Sequence, residues 1–229
     1  CSLCFIKLRT IQTKMTCPEC KTNLDHVICT TNESLRYYDF NIWGEDIGPG
    51  YHFDHKSNVF IPEQYYNEVV KKLFLFQCVV CQANRKDFHG LKKHYKEEHN
   101  LIMCNLCLDN KQCFPSEQRV YNQSDYDKHI KEGDHDGSIG HPNCEFCKHR
   151  YYDREALFLH LRKDHLTCHL CESKGIQHRF YKDYTNLEAH FRSKHFLCEN
   201  VNCLLQRYTV FIDSIDLSSH NIRVHPSEA

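Results

Sequence analysis

No apolar run in this 229-residue sequence approaches the ~20 residues that a helix needs to cross a bilayer. Nor does any segment have the charged, apolar and small-residue order of a secretory leader. A strong charge of either sign is missing as well: 29 Lys and Arg stand against 30 Asp and Glu, a net −1. Proteins that live on nucleic acid usually carry a basic excess, because phosphate contacts dominate their affinity. Any nucleic-acid contact here is therefore expected to be local. Neither a phosphate-binding glycine loop nor a nucleophile–base pair is present, which argues against nucleotide-dependent and covalent enzymes. Material for one large core is also lacking. The hydrophobic share of 41% counts cysteine, and mean hydropathy is −0.64. Chains that cannot bury enough apolar surface need disulfides or metals.

What the sequence does hold is 16 Cys and 18 His. Disulfides have no use for histidine, whereas zinc takes thiolate and imidazole together in a tetrahedral shell. Closely spaced cysteines followed by paired histidines thus imply Zn2+ and a reducing compartment, read as cytoplasmic. Beginning at Cys1, the chain reads as a fragment of a longer protein.

From Cys78 onward one unit repeats. It runs Cys78-x2-Cys81-x12-His94-x4-His99, then Cys144-x2-Cys147-x12-His160-x4-His165. Looser copies are Cys168-x2-Cys171-x18-His190-x4-His195 and Cys198-x4-Cys203-x16-His220-x4-His225. Two cysteines so close sit on a tight knuckle, and histidines at this spacing share one side of a helix end. The pairs Tyr151 and Leu157, Tyr181 and Leu187, Phe211 and Leu217, and Phe88 with Leu91 supply small cores. The pattern resembles the C2H2 zinc-finger family, whose fold is ββα. Every such shell is full, whereas a catalytic zinc keeps an open position, so these sites read as structural.

One further unit is irregular. Cys104, Cys107 and His129 are its evident ligands, with Tyr126 in the leucine place. Spacing alone selects His135 as the fourth; His141, in Gly140-His141-Pro142, is the alternative. Cys29 and Cys113 read as small hydrophobes or plain thiols. Tandem DNA-reading fingers are joined by flexible linkers of about five residues. Here only Leu-Thr separates His165 from Cys168, and only Phe-Leu separates His195 from Cys198. Such joints should lock neighbouring fingers together.

The N-terminus is different. Cys1-x2-Cys4-x12-Cys17-x2-Cys20 permits a four-cysteine site of its own. It also resembles the second half of a RING finger, whose last pair is commonly Cys-Pro-x-Cys followed by a basic residue. That resemblance implies that Pro18 faces the ubiquitin-conjugating enzyme and that Lys21 contacts ubiquitin. The other half would lie upstream, leaving this fragment inactive by itself.

A half RING followed by tightly spaced C2H2 fingers resembles the RING and C2H2 ubiquitin ligases that sense collided ribosomes. The resemblance rests on Cys17-Pro-Glu-Cys-Lys-Thr-Asn-Leu, Val27-Ile-Cys-Thr-Thr and Gly140-His-Pro-Asn-Cys-Glu-Phe-Cys. It favours His141 over His135. It further implies ubiquitylation of small-subunit ribosomal proteins at stalled ribosomes, a conjugating enzyme as partner, and fingers that engage the ribosome, rRNA or mRNA. A non-enzymatic nucleic-acid module and a protein-interaction scaffold are the alternatives. Contact candidates are Lys92, Lys93, Lys96, Arg150, Arg154, Arg162, Lys163, Arg192 and Lys194, with Tyr95, Tyr151 and Tyr152 for stacking.

The expected architecture is a string of small zinc-stabilised α+β modules: a partial RING-like segment over 1–29, a connecting segment over 30–77, and five C2H2 fingers. The fingers fall at 78–101, 102–142, 143–166, 167–196 and 197–229. An amphipathic helix near 62–75 opens with Pro62 and packs its apolar face on the neighbouring finger.

Overall fold

A computed structural model describes residues 2–32 and 34–226. The chain divides into two compact units, Cys1–Ile130 and Lys131–Ala229.

The first unit begins with helix α1 (Ser2–Thr10) and a three-stranded sheet of β1 (Val27–Ile28), β2 (Tyr51–Asp54) and β3 (Val59–Pro62). Strand order is β1-β3-β2; β1 runs parallel to β3 and β2 antiparallel to it. A helical run follows, made of α2 (Glu63–Tyr65), a π-helical turn (Tyr66–Val70) and α3 (Lys71–Leu73). Pro62 closes β3 opposite Tyr51 and caps the helix rather than starting its first turn. Having no N–H to extend a ladder, proline suits a strand end.

The apolar face of this run does not pack on the first finger. Val70, Tyr65, Tyr66 and Leu73 join Ile6 of α1 and Val59 and Ile61 of β3 in one cluster, closed by Phe114. Beneath it, the buried Arg9 side chain donates to the carbonyls of Leu24, Asp25 and Ser57, tying α1 to both the N-terminal loop and the hairpin. The expected boundary at residue 29 therefore runs through a shared core. Residues 30–77 are half of a packed module, not a connector. From this segment Val59 and Ile61 with Tyr65, Tyr66, Val70, Leu73 and Phe74 supply that core.

The fingers follow. In the first, β4 (Phe76–Gln77) and β5 (Asn84–Arg85) form a hairpin before α4 (Phe88–His99). The second keeps a single bridge, Ile102 to Tyr121, with helices α5 (Asn105–Asn110) and α6 (Gln123–Glu132). Its long insertion carries Phe114, which meets Phe74 edge-on at 5.2 Å, and Glu117, which pairs with Lys7 at 2.7 Å. The irregular spacing of this finger thus clamps it to the N-terminal module.

In the second unit, α7 (Arg154–Asp164) belongs to the third finger. The fourth has β6 (Leu166–Thr167), α8 (His169–Ser173), β7 (Phe180–Tyr181) and α9 (Tyr184–Lys194). The fifth has β8 (Phe196–Leu197), α10 (Val201–Gln206), β9 (Val210–Phe211) and α11 (Ser214–Val224). The short joints prove to be strands: Leu166 and Thr167 pair with Tyr181 and Phe180, and Phe196 and Leu197 with Phe211 and Val210. Leu187 and Phe191 share one core with Leu197 and Val210 of the next finger. Among the described residues, no helix is long and apolar enough to cross a membrane.

Candidate metal centres

The first and third centres start from a knuckle, whereas the second cysteine of each of the others lies in one of the short helices α5, α8 and α10. Cys78 N–H donates to Ala83 O at 2.9 Å and Gln82 N–H to Cys78 O at 3.0 Å, with Gln82 in the left-handed region at φ 61°. Cys144, Lys148 and His149 repeat this at 2.9 Å in both bonds, with Lys148 at φ 62°. Such a turn aims two sulfurs at one point.

The other two donors come from a helix whose start is fixed by an acidic or amide cap. Asp87, Asp153, Asp183 and Asp213 accept from the N–H of Gly90, Ala156, Asn186 and Asp216, and Asn122 accepts from Asp125. Each cap lies seven residues before the first histidine, at 94, 160, 190, 220 and 129. This constant interval is readable in the sequence. The aromatic before the leucine does more than fill space: Tyr121, Tyr151 and Tyr181 lie against the rings of His129, His160 and His190 at 4.6, 4.5 and 4.9 Å. In the first finger Arg85 takes that position, 2.7 Å from His94 Nδ1, while Phe88 packs on Phe76.

The donor atoms converge. In four sets (Cys78, Cys81, His94, His99; Cys144, Cys147, His160, His165; Cys168, Cys171, His190, His195; Cys198, Cys203, His220, His225) the candidate atoms lie within 4.8 Å of one another. Zinc bonds of about 2.3 Å to sulfur and 2.0–2.1 Å to nitrogen at a tetrahedral angle separate S from N by about 3.6 Å. Observed Sγ···Nε2 separations are 3.2 Å for Cys81 and His94, 3.4 Å for Cys147 and His160, and 3.3 Å for Cys171 and His190. They are 3.5 Å for Cys203 and His220, and 3.4 Å for Cys107 and His129 of the second finger. The residues fit zinc.

Electrostatics is divided: it favours neutral imidazole at four histidines, whereas burial raises the thiol pKa of Cys168 and Cys203. Burial lowers the pKa of His94, His190, His195 and His220 below the ordinary 6.5, so the imidazoles are neutral. The backbone N–H of His149 leads in pulling the Cys147 thiol down to about 6. Behind the ligands, His160 Nδ1 meets Asp164 at 2.8 Å and His165 Nδ1 meets Lys182 O at 3.1 Å. Such partners orient the ring and fix its tautomer.

A model of the C2H2-type zinc finger matches residues 165–221. Over 99% of its length the chain is 30% identical to the E3 ubiquitin-protein ligase hel2 of Schizosaccharomyces pombe, covering 32% of that protein. Over 98% it is 32% identical to the E3 ubiquitin-protein ligase ZNF598 of Homo sapiens, covering 25% of it. Over the same share it is 31% identical to HEL2 of Saccharomyces cerevisiae, covering 35%. The chain is a homologue of a segment of the hel2 and ZNF598 ubiquitin ligases. It spans about a quarter to a third of the length of these curated relatives. No solved structure matches it.

At the N-terminus of this ligase homologue, Cys17 N–H donates to Thr22 O at 2.8 Å and Lys21 N–H to Cys17 O at 3.0 Å, with Lys21 at φ 61°. This is the knuckle of the first and third fingers. Cys20 Sγ lies 3.3 Å from the Thr22 hydroxyl, which lowers the thiol pKa. Pro18 and Lys21 are exposed, and Lys21 Nζ donates to Pro18 O at 2.6 Å. Cys4 lies exposed on α1 rather than on a knuckle, and Cys1 falls outside the described residues. Among the described residues, Cys4, Cys17 and Cys20 join no group of three or more close ligand atoms. Cys29 packs against the N-terminal core, and burial pushes its thiol pKa up, as it does for Cys113.

Several contact candidates are engaged elsewhere. Tyr95 is 2% exposed and its hydroxyl accepts from Val79 N–H, so it offers no ring to a base. Arg192 is paired with Glu188 and Glu199, Lys93 with Glu97, and Lys92 with Asn105. Arg150 donates to His141 O at 2.7 Å. Lys96, Arg154, Arg162, Lys163 and Lys194 remain on exposed helix faces.

Proposed function

We propose that the intact protein is a RING-type E3 ubiquitin transferase that docks on stalled, collided ribosomes and ubiquitylates small-subunit ribosomal proteins. The observation that carries this reading is the preformed Cys17–Cys20 knuckle in a chain homologous over 98–99% of its length to E3 ligases. A RING holds the charged conjugating enzyme in a reactive conformation and performs no covalent step itself, which is catalysis by positioning. Exposed Pro18 and Lys21 suit contacts to the conjugating enzyme and to ubiquitin. The finger array is the ribosome- and RNA-facing part of a cytoplasmic enzyme, and its strand-like joints suit recognition of a large fixed surface. Ubiquitin transfer by the protein carrying a whole RING, with a panel of conjugating enzymes, tests the reading. Inactivity throughout would remove it; co-sedimentation with ribosomes tests the docking part.

In this reading the twenty Cys and His residues of the five finger motifs are zinc ligands, with His141 fourth in the second finger. His141 is buried, whereas His135 is exposed. Its Nδ1 meets Tyr152 O at 2.8 Å, and Tyr152 immediately precedes cap Asp153 just as Lys182 precedes cap Asp183 behind His165. Gly140 lies so close to the Lys131 carbonyl that an added Cβ would sit 2.3 Å from it, which draws the loop onto α6 two residues past His129. Native mass spectrometry distinguishes the options. His141→Ala should release one zinc and His135→Ala none; the reverse would reassign the ligand.

A further inference from the structure

The fourth finger has 18 residues between its second cysteine and first histidine, where the first and third have 12. Neither zinc nor the core uses the extra six. They form the end of α8 and a turn through Gly175 at φ 82° and His178 at φ 63°, a left-handed conformation that is costly for a histidine. The turn walls a cleft of about 430 Å3 against the helix of the preceding finger, within the ~300–1,000 Å3 range of ligand sites. Phe158, Arg162, Glu172, Gln177, His178 and Phe180 line it.

The lining chemistry is specific. Phe158 meets His178 edge-on at 5.2 Å and Phe180 at 6.0 Å, and the Arg162 guanidinium lies 5.9 Å from the Phe158 ring. Three rings and a planar cation are stacking surfaces; Glu172 and Gln177 supply an acceptor and a mixed donor–acceptor at the rim. Lys163, Arg179 and Lys182 are exposed beside Asp164 and Asp183, and with Arg162 they leave a small local excess of positive charge.

We propose that this cleft binds one unstacked base of single-stranded RNA. Aromatic and guanidinium faces take the base plane, polar side chains meet its edge, and the flanking cations meet the phosphates, as sequence-tolerant single-strand sites require. A peptide's apolar face would meet the charged Arg162 and Glu172 in this lining. The inference deepens the RNA contact of the proposed function, but its test needs neither ribosome nor RING.

The zinc-loaded chain is titrated with a fluorescein-labelled ten-residue cytidine RNA and with an abasic sugar-phosphate strand of equal length. The base-containing strand should bind at least tenfold tighter. His178→Ala and Arg162→Gln should each weaken it by about tenfold, with zinc content unchanged by native mass spectrometry. Because Phe158 is half-buried, photo-crosslinking with 5-iodocytidine RNA replaces its truncation: the label should fall on peptides containing Phe158 or His178. Equal affinity for the abasic strand, unaltered binding by zinc-replete variants, or labelling confined to other fingers would overturn the proposal. Ribosome co-sedimentation that persists in such a case would leave the docking reading standing.

Discussion

The Nδ1 of His165, last candidate ligand of the third finger, faces the carbonyl oxygen of Lys182 in the fourth finger at 3.1 Å. One finger thus supplies the hydrogen-bond partner of a candidate ligand of another. The intervening Leu166–Thr167 is strand β6 of the fourth finger, so the backbone leaving His165 is held in that finger's hairpin. Through this contact zinc affinity is expected to depend on inter-finger order.

Inserting two glycines between His165 and Leu166 should uncouple them. Loss of an outer-shell partner typically costs 10–100-fold in metal affinity. Chelator competition should show that drop at the third site and none at the first. An unchanged third site would mean that the contact is incidental.

The helix caps make a separate prediction. Asp153→Ala and Asp213→Ala each remove the acceptor of a first-turn N–H and should cost about 1 kcal/mol. Thermal melts of zinc-loaded protein would register this; Asp153→Asn should retain most of the stability.

Acid should release zinc. With folded pKa values lowered by burial, His94, His190, His195 and His220 bind protons in the unfolded chain first. Their contribution is complete above the ordinary value of 6.5 and is lost as pH falls below it toward the folded values. Because zinc needs neutral imidazole, a chromogenic chelator should begin to capture metal below pH ~6.5. Onset well above that value would place the sensitivity on other groups.

Phe114 is buried among α1, β3 and the helical run although its sequence position belongs to the second finger. Phe114→Ala should destabilise the N-terminal module by about 3–5 kcal/mol. Hydrogen exchange should then rise in β1 and β3 and stay unchanged in the fourth finger. Protection lost uniformly along the chain would contradict a modular core.

Metal chemistry was legible because it is local. Cysteine and histidine spacing must satisfy one tetrahedral ion, so His160 and His165, or Cys168 and Cys171, announce themselves without knowledge of the rest of the fold. The caps at Asp87, Asp153, Asp183 and Asp213 were legible too, in the constant interval to the histidine. The N-terminal module was not. Its core joins Ile6, Val59, Val70 and Phe114 across more than a hundred residues, and apolar residues carry no spacing rule that names distant partners. Tyr95 shows the converse error: its place beside exposed lysines suggested an open ring, but its side of α4 faces the finger core.

By itself, then, the sequence determined the candidate ligand types, the repeating unit, the shortness of the joints and the likeness to a RING-bearing ligase. Only the tertiary structure decided that the joints are strands of the following finger, that the second finger's insertion clamps the N-terminal module, and that six extra residues in the fourth finger wall a cleft. Coordination is written in short-range intervals. Which apolar faces meet, and what stands beside an insertion, depends on where the chain returns.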